Sequence, residues 1–247
     1  MSILISVITA CYNSEKTIRK TFDAMLAQTY QNYEYVIVDG GSTDNTLAII
    51  EEYMPKFQGK MSCMSEPDKG IYDAMNKGIK RCHGDLIGIN NSDDWYEPDT
   101  LEQIVTNYQG NQYEVVYGMM RTIRDGKANA ILFYHHDFLS ETMINHPTCF
   151  VTKDTYRDLG AFDAENYRSS ADYELMIRYQ KSGKVIFTPI YSILANFTLG
   201  GMSGSNTGVR ETARLKRSLG LISKKKYMIT LTKAMVNDLI GNNWKRK

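Results

Sequence analysis

Short apolar runs alternate with segments of helical spacing along the first part of the chain, and this alternation constrains the fold more than any other feature. The runs at residues 3–9, 35–38 and 86–89 are rich in β-branched side chains and typical of buried strands, and a weaker one spans 60–64. Between them, apolar side chains recur three or four positions apart, which predicts helices with one apolar face. We therefore predict an α/β fold with a mainly parallel sheet and helices on both faces.

Polar clusters follow three of these strands, at residues 9–13, 39–44 and 90–94. Ligands of parallel α/β sheets bind beyond the carboxyl ends of the strands, so the three clusters are expected to form one site. Asn13 or Ser14 is expected to cap the first helix. The sequence lacks the glycine patterns of dinucleotide-binding and P-loop folds, which argues against both.

The second part of the chain is less regular. Helices are predicted around residues 100–108 and 171–181, and strands at 114–117, 130–134, 185–187 and 191–197. No linker rich in Pro or Ser divides the chain, so residues 1–209 are expected to form one domain.

The composition of the 247 residues argues against several classes of protein. Hydrophobic residues make up 43%, enough for a core, and no apolar run is long enough to span a membrane. The first strand begins almost at Met1, so no secretory signal is expected, and the four scattered cysteines are typical of reduced thiols. A net charge of +1 gives no support for a nucleic-acid partner. We expect a cytoplasmic protein.

Positive charge is concentrated at the end of the chain. From Arg210 onward there are eleven Lys or Arg and two acids, whereas the preceding residues hold 18 and 26. We therefore predict a basic, amphipathic helical tail over residues 210–247. Three lysines at 224–226, apolar residues from Met228 to Ile240, Trp244 and the basic residues 245–247 are typical of a helix lying on an anionic membrane surface. A helix packed on the body, or on a second subunit of a homodimer, fits the same pattern.

Two of the polar clusters indicate specific chemistry. Adjacent carboxylates at Asp93 and Asp94, directly after a buried strand, require a counter-charge. A hard divalent cation such as Mg²⁺ or Mn²⁺, bound through one carboxylate and the phosphates of a ligand, would supply it. The alternative is a helix N-terminus, where Asp and Asn are common caps. Two interpretations of residues 39–44 stay open. The segment is either a plain turn with a helix cap, or its first aspartate accepts a hydrogen bond from a nucleobase.

Taken together, these motifs resemble the family 2 glycosyltransferases, which have the GT-A fold and bind nucleotide-sugars. The resemblance covers about residues 3–205 and rests on residues 9–13, 38–46, 91–94, 145–147, 170–175 and 197–203. The run from Ser65 to Gly78 is similar to the branch that serves bacterial surface polysaccharides such as colanic acid, capsule and O-antigen.

The resemblance implies roles for the matching positions. Asp93 matches the metal-binding acid, and Asn91 stands where the family more often has an aspartate, so Mn²⁺ or Mg²⁺ is the expected cofactor. Asp172 matches the catalytic base, although Ala171 replaces the usual first acid, and an exposed helix acid paired with Arg178 is the alternative. The implied nucleotide-sugar contacts are Thr9, Ala10, Tyr12, Asn13, Asp39, Gly41, Asp68, Lys69, Gly70, Asn76, Asn91, Ser92, Asp93, His146 and Ser203.

Some of these contacts carry more specific expectations. Thr9, Ala10 and Tyr12 would line the base and ribose pocket, and Asp39 would pair with the base. His146 would lie near the diphosphate, unless it is a structural or solvated histidine. The glycine-rich residues 200–205, which include Ser203, would form a lid, with an ordinary loop as the alternative. Gly40 replaces a frequent second acid, a change that we expect to matter little.

The function implied by the resemblance is a metal-dependent, inverting glycosyltransferase. It would move a sugar from a UDP-sugar to a lipid-linked or oligosaccharide acceptor, in the cytoplasm or at the inner face of the plasma membrane. One aspartate does not separate uracil from guanine, so the base stays open. A non-catalytic binding or scaffold protein is an alternative, because Asn91 and Ala171 depart from the family pattern. A sugar-1-phosphate nucleotidyltransferase is a weaker one, because residues 10–14 lack its glycine-rich loop.

Overall fold

The computed structural model describes residues 2–200 and 206–244, with side chains up to residue 238 in the last helix. The strands are β1 (Ile5–Cys11), β2 (Tyr33–Asp39), β3 (Met61–Ser65), β4 (Leu86–Ile89), β5 (Trp95–Tyr96), β6 (Glu114–Arg124), β7 (Lys127–Leu132), β8 (Phe150–Thr152) and β9 (Ile186–Thr198). The helices are α1 (Ile18–Leu26), α2 (Thr46–Tyr53), α3 (Ile71–Arg81), α4 (Thr100–Asn107), α5 (Lys153–Leu159), α6 (Ala171–Ser182), α7 (Asn206–Ser218) and α8 (Lys224–Trp244). Short 3₁₀ helices span Met54–Phe57, His136–Phe138 and His146–Thr148.

The sheet is parallel in its first half and mixed in its second. Its order is β3-β2-β1-β4-β8-β6-β9-β5, with β7 paired to β6. The four strands from β3 to β4 are mutually parallel, whereas β8 lies antiparallel between β4 and β6. Parallel pairing returns between β6 and β9. The prediction of a parallel sheet therefore holds for β1 to β4, the part of the chain in which strands and helices alternate regularly.

Helices cover both faces of the sheet, as predicted. Side chains alternate along β1: Ile8 and Ala10 join a core formed with α3 and α6, while Val7 and Cys11 join a second core formed with α1 and α4. Residues along a strand point to opposite faces in turn, so a nearly continuous apolar strand is needed to supply both cores.

The structure corrects several local predictions. Strand β1 runs to Cys11, so Thr9 and Ala10 lie within the strand and not in the loop after it. Helix α1 begins at Ile18 and is preceded by Thr17, so neither Asn13 nor Ser14 caps it. The two strands expected at 185–187 and 191–197 are one strand, β9. Strand β8 and helix α5 were not predicted, and α7 begins four residues before the predicted helical tail.

The two C-terminal helices pack against each other, and α7 also attaches to the body. Arg210 and Asn206 on α7 both contact Asp238 on α8, and Asn206 donates from Nδ2 at 2.5 Å. The carboxylate of Glu211 on α7 accepts hydrogen bonds from the backbone N–H groups of Arg168 and Ser169, at 3.0 and 2.7 Å. The division predicted between residues 209 and 210 therefore falls inside α7 and does not coincide with a break in packing. Among residues 2–200 and 206–244, no helix is both long and apolar enough to cross a bilayer.

Candidate functional site

A cavity of about 690 Å³ lies beyond the carboxyl ends of β1 and β4. It is bounded by the loops that follow these strands, by the start of α3 and by the start of α6. Of the predicted site residues, those that line it are Ala10, Tyr12, Asn13, Asp68, Gly70, Asn91, Ser92, Asp93, His146 and Asp172. The structure thus brings together residues that are widely separated in the sequence.

Asp172 lies in the first turn of α6 and faces this cavity. Its Oδ1 accepts a hydrogen bond from the hydroxyl of Tyr72 at 2.9 Å and one from the N–H of Tyr173 at 2.8 Å. Burial and the charge of Asp172 raise the pKa of Tyr72, so the phenol stays a hydrogen-bond donor. The expected alternative of a pair with Arg178 is wrong, because Arg178 binds Glu174 at 3.0 Å.

The segment after β4 is rich in oxygen atoms. Asp93 is half-buried, and burial raises the pKa of its carboxyl. Asp94 is fully buried with its Oδ1 bound by the N–H of Thr198 at 2.8 Å, and burial together with the charge of Asp93 raises its pKa strongly. The segment leads into β5 and not into a helix, so the helix N-terminus alternative is wrong.

These oxygens fit a divalent cation. Within the described residues, the buried Oδ1 of Asn91 and Oδ2 of Asp94 have no hydrogen-bond partner; Asn91 and Asp93 line the cavity, whereas Asp94 lies behind it. Desolvated carboxylate and amide oxygens without protein donors are the ligand type that Mg²⁺ and Mn²⁺ prefer. Two basic side chains that the sequence analysis did not identify, Lys16 and Arg168, also line the cavity and favour an anionic ligand.

Five predicted contacts do not line the cavity: Thr9, Asp39, Gly41, Lys69 and Asn76. The hydroxyl of Thr9 is buried and donates to the carbonyl of Asn90 at 2.8 Å. Asn76 instead holds the backbone of Phe162, donating to its carbonyl at 2.8 Å and accepting from its N–H at 3.0 Å. The position of Asn76 therefore does not support a direct contact with a ligand.

Asp39 is fully buried at the end of β2, where it organises a turn. Its Oδ2 accepts from the N–H groups of Gly41 and Ser42 at 3.0 and 2.9 Å, and from the hydroxyl of Ser65 at 2.7 Å. Gly41 has a φ of +83°, a left-handed conformation that favours glycine. The role of Asp39 in base recognition stays a prediction, and it requires one of these contacts to give way.

Two further predictions concern loops around the cavity. His146 lines the cavity with its ring edge-on to Phe162, at 5.5 Å between centroids, and burial lowers its pKa. Tyr12 is 61% exposed and offers an aromatic face to a ligand at the mouth of the cavity. Ser203 and most of the predicted lid at 200–205 lie outside the described residues.

The fold defines the class of protein first. The structure is similar to that of S. aureus TarS 1-349 in complex with UDP-GlcNAc, with a TM-score of 0.69 and 20% identity over 94% of this chain and 71% of that one. The mannosyltransferase PcManGT from Pyrobaculum calidifontis, in complex with GDP-Man and Mn²⁺, gives 0.67 and 16% over 96% and 75%. These likenesses confirm the predicted GT-A fold.

The sequence then gives the family. The chain belongs to glycosyl transferase family 2, whose family model matches residues 6–176. It is 26% identical to a PGL/p-HBAD biosynthesis glycosyltransferase of Mycobacterium bovis, over 99% of this chain and 98% of that protein. It is 29% identical to the chondroitin synthase of Escherichia coli, over 84% of this chain and 30% of that protein. The predicted family is confirmed, and the nucleotidyltransferase alternative gains no support.

Proposed function

We propose that this chain is an inverting glycosyltransferase that moves a sugar from a UDP-sugar to a hydroxyl of a lipid-linked polysaccharide intermediate. The observation that carries the proposal is that Asp93 and Asp172 line one cavity at the carboxyl ends of the parallel strands. Asp93 shares this cavity with Asn91, whose buried Oδ1 has no hydrogen-bond partner, and Asp172 is held by two hydrogen bonds. These are the two environments that a donor diphosphate and an acceptor hydroxyl require.

The donor side of the cavity suits a nucleotide-sugar. Tyr12 offers a face on which a base can stack, and Asn13 is fixed because its Oδ1 accepts from the N–H of Thr43 at 2.8 Å. Lys16 supplies positive charge for phosphate groups. UDP is favoured over GDP by the TarS complex with UDP-GlcNAc, while the PcManGT complex with GDP-Man keeps guanine as the competing base.

The residues after β4 fit a divalent cation. Asp93, with Asn91 beside it, would hold Mn²⁺ or Mg²⁺ at the diphosphate. When bound, such an ion neutralises the charge that develops on a departing nucleoside diphosphate. The structures of PcManGT and GalNAc-T7 are complexes with Mn²⁺. They support a divalent metal here but do not distinguish Mn²⁺ from Mg²⁺.

On the acceptor side, Asp172 would act as the general base. Because Tyr72 and the backbone N–H of Tyr173 fix its Oδ1, Oδ2 is the atom that would take the proton of the attacking hydroxyl. General base catalysis of this kind is typically worth about 10²–10⁴-fold in rate. A single base and a direct displacement predict inversion at the anomeric carbon.

The last helix supports an acceptor carried on lipid. Met228, Ile229, Met235 and Val236 of α8 are exposed. They lie one or seven positions apart and so share one side of the helix, in a segment that also holds four lysines. Apolar and basic residues together bind anionic membrane surfaces. We place the enzyme in the cytoplasm at the inner face of the plasma membrane, with no nucleic-acid partner. A homodimer through the same helix is the competing arrangement.

A thermal-shift panel tests the donor assignment. UDP-, GDP- and dTDP-sugars are compared with and without Mn²⁺, because a ligand that binds the native state raises the melting temperature by mass action. We expect a UDP-sugar to raise it most, and more with Mn²⁺ than without. A larger rise with GDP-sugars would assign guanine as the base, and no rise with any nucleotide-sugar would contradict the proposed donor class.

A further inference from the structure

A cluster of potential metal ligands lies outside the cavity. His135, His136 and Asp137 are consecutive at the start of the 3₁₀ helix that follows β7, and none of them lines the cavity described above. Each offers one ligand atom, and the three atoms lie within 4.8 Å of one another. The proposed glycosyl transfer does not use this cluster, so its close arrangement requires a separate explanation.

The spacing of the ligand atoms suits a small tetrahedral ion. Nδ1 of His135 lies 3.1 Å from Oδ2 of Asp137, and Nε2 of His136 lies 3.7 Å from Oδ1 of the same carboxylate. Ligands about 2.0–2.2 Å from a tetrahedral zinc ion are separated from one another by about 3.3–3.6 Å. To reach that geometry, Nδ1 of His135 must release the backbone N–H of Asp137, which it accepts at 3.4 Å, and the exposed side chain of Asp137 must turn.

The ring of His136 is already oriented by its surroundings. It stacks on Phe187 with 5.1 Å between centroids, and its Nδ1 lies 2.9 Å from the hydroxyl of Tyr117. That hydroxyl also accepts from the backbone N–H of His136 at 3.1 Å. In the tautomer that carries its hydrogen on Nδ1, the lone pair of Nε2 is free on the side of Asp137. Metal-binding histidines commonly use such a second partner to fix the ring and its tautomer.

The backbone around the cluster is tied to the helix that carries Asp172. The carbonyl of His136 accepts from Nε2 of Gln180 on α6 at 2.7 Å, and the carbonyl of Leu139 accepts from the hydroxyl of Tyr173 at 2.7 Å. An ion held by the cluster would therefore fasten this segment against α6 at a distance from the reacting atoms.

We propose that His135, His136 and Asp137 form a Zn²⁺ site, separate from the oxygen site at Asp93, that stabilises the segment packed on α6. Two imidazoles and one carboxylate are ligands of Zn²⁺ and related transition ions, whereas an all-oxygen site suits Mg²⁺ and Mn²⁺. Water would take the fourth position. The two sites thus differ in the class of ion that they select.

The test is a Zn²⁺ titration of the tag-free full chain by calorimetry, in the presence of excess Mg²⁺. We expect one Zn²⁺ per chain, the same stoichiometry in Asp93→Asn, and a rise in melting temperature on binding. Co²⁺ substitution provides a second readout, because a four-coordinate site with nitrogen ligands gives a visible absorption band. No saturable Zn²⁺ binding, or binding lost in Asp93→Asn, would overturn the proposal.

Matched variants locate the ion. Asp137→Asn changes an exposed side chain and is expected to fold normally while losing Zn²⁺ affinity and the Co²⁺ band. Tyr117→Phe removes only the hydroxyl that faces His136 and is expected to weaken binding about 10–100-fold, as for other partners of metal-binding histidines. His83→Ala, at an exposed histidine paired with Glu34, is the control and should bind Zn²⁺ as the wild type does. Unchanged Zn²⁺ affinity in Asp137→Asn would refute the site.

Discussion

At the scale of single residues, a motif identifies a position but not the neighbours that engage its side chain. Thr9 and Ala10 both matched the family pattern, yet of the two only Ala10 lines the cavity, while the buried hydroxyl of Thr9 donates to the carbonyl of Asn90. Residues 39–44, at the end of β2, do not line the cavity, whereas the motifs at the ends of β1 and β4 do. The motifs alone did not show that the side chains of Thr9, Asp39 and Asn76 are hydrogen-bonded to neighbouring strands and loops. These bonds depend on contacts between distant parts of the sequence.

Gly40 illustrates what a missing side chain allows. A Cβ at this position would lie 2.3 Å from Oδ2 of Asp68, which lines the cavity. The glycine therefore leaves the space that the Asp68 carboxylate occupies, a consequence that the resemblance did not indicate.

We predict that Gly40→Ala displaces Asp68 and weakens donor binding roughly tenfold, the scale of one lost hydrogen bond to a charged group. Because a flexible side-chain end moves and the backbone does not, the free energy of unfolding should change little. Donor titration and urea unfolding measure the two effects. In an Asp68→Ala background the same substitution should have almost no further effect on binding. Equal losses in both backgrounds would contradict this explanation.

We expect His146 to make the free energy of unfolding depend on pH. Burial lowers its pKa in the folded protein from the ordinary value of 6.5, with Asp172 opposing part of the shift. Between the two values the unfolded chain binds more protons, so stability rises with pH and is lost as pH falls below about 6.5.

We predict that His146→Gln reduces this pH dependence. The difference in unfolding free energy between wild type and variant should shrink as pH falls below about 6.5, by up to about 1.4 kcal/mol per pH unit in that window. Urea unfolding over a pH series measures it, with the exposed His83→Gln as the matched control. A difference that stays constant with pH would show that His146 is not the titrating group.

At the scale of elements, the sequence predicted those whose pattern is local. β1, β2 and β4 are short apolar runs that were predicted near their observed bounds. Strand β8 has three residues, too few for a period, and it pairs with β4 and β6 through contacts far apart in sequence. Strand β9 contains Pro189, which lacks an N–H, and its register against β6 shifts, so its sequence did not predict one continuous strand.

Helix α7 was assigned to the tail, but it supports the cavity wall. Glu211 holds the N–H groups of Arg168 and Ser169, and the hydroxyl of Thr212 lies 2.8 Å from that of Ser170, the residue before α6. Arg168 itself lines the cavity and contacts the carbonyl of Lys69. The start of α6, with Asp172, is thereby fixed from outside the matched family region.

We predict that Glu211→Gln lowers kcat roughly tenfold, because hydrogen bonds to a charged acceptor are each worth about 1.5–3 kcal/mol and the amide retains a weaker set. The donor KM should change less, since the donor side of the cavity is built by other loops. Steady-state kinetics check this. The control is Glu165→Gln, at an exposed acid in the loop that contains Arg168 and Ser169. Equal kcat values for the two variants would exclude a positioning role for α7.

At the scale of the whole molecule, the proposed function assigns the nucleotide-sugar to the acidic body and the anionic membrane surface to the basic end of the chain. Membrane binding in this proposal depends on the exposed apolar side of α8.

We predict that Ile229→Glu with Met235→Glu abolishes co-sedimentation with vesicles containing phosphatidylglycerol, since both charges enter the apolar side of α8. Neither wild type nor variant should bind vesicles of phosphatidylcholine alone. Asn237→Glu, at an exposed polar position of the same helix, is the control. Vesicle binding that survives the double substitution, or a dimer in solution that the substitution dissociates, would refute the membrane assignment.

The central claim is that Asp172 takes the acceptor proton while the donor is held across the same cavity. Measuring turnover and donor affinity in the same preparation of Asp172→Asn tests it most directly, with Glu174→Gln as the control on the same helix. We expect turnover to fall about 10²–10⁴-fold while the donor Kd is unchanged. Turnover within a few-fold of wild type, or a donor affinity lost in proportion to turnover, would contradict it.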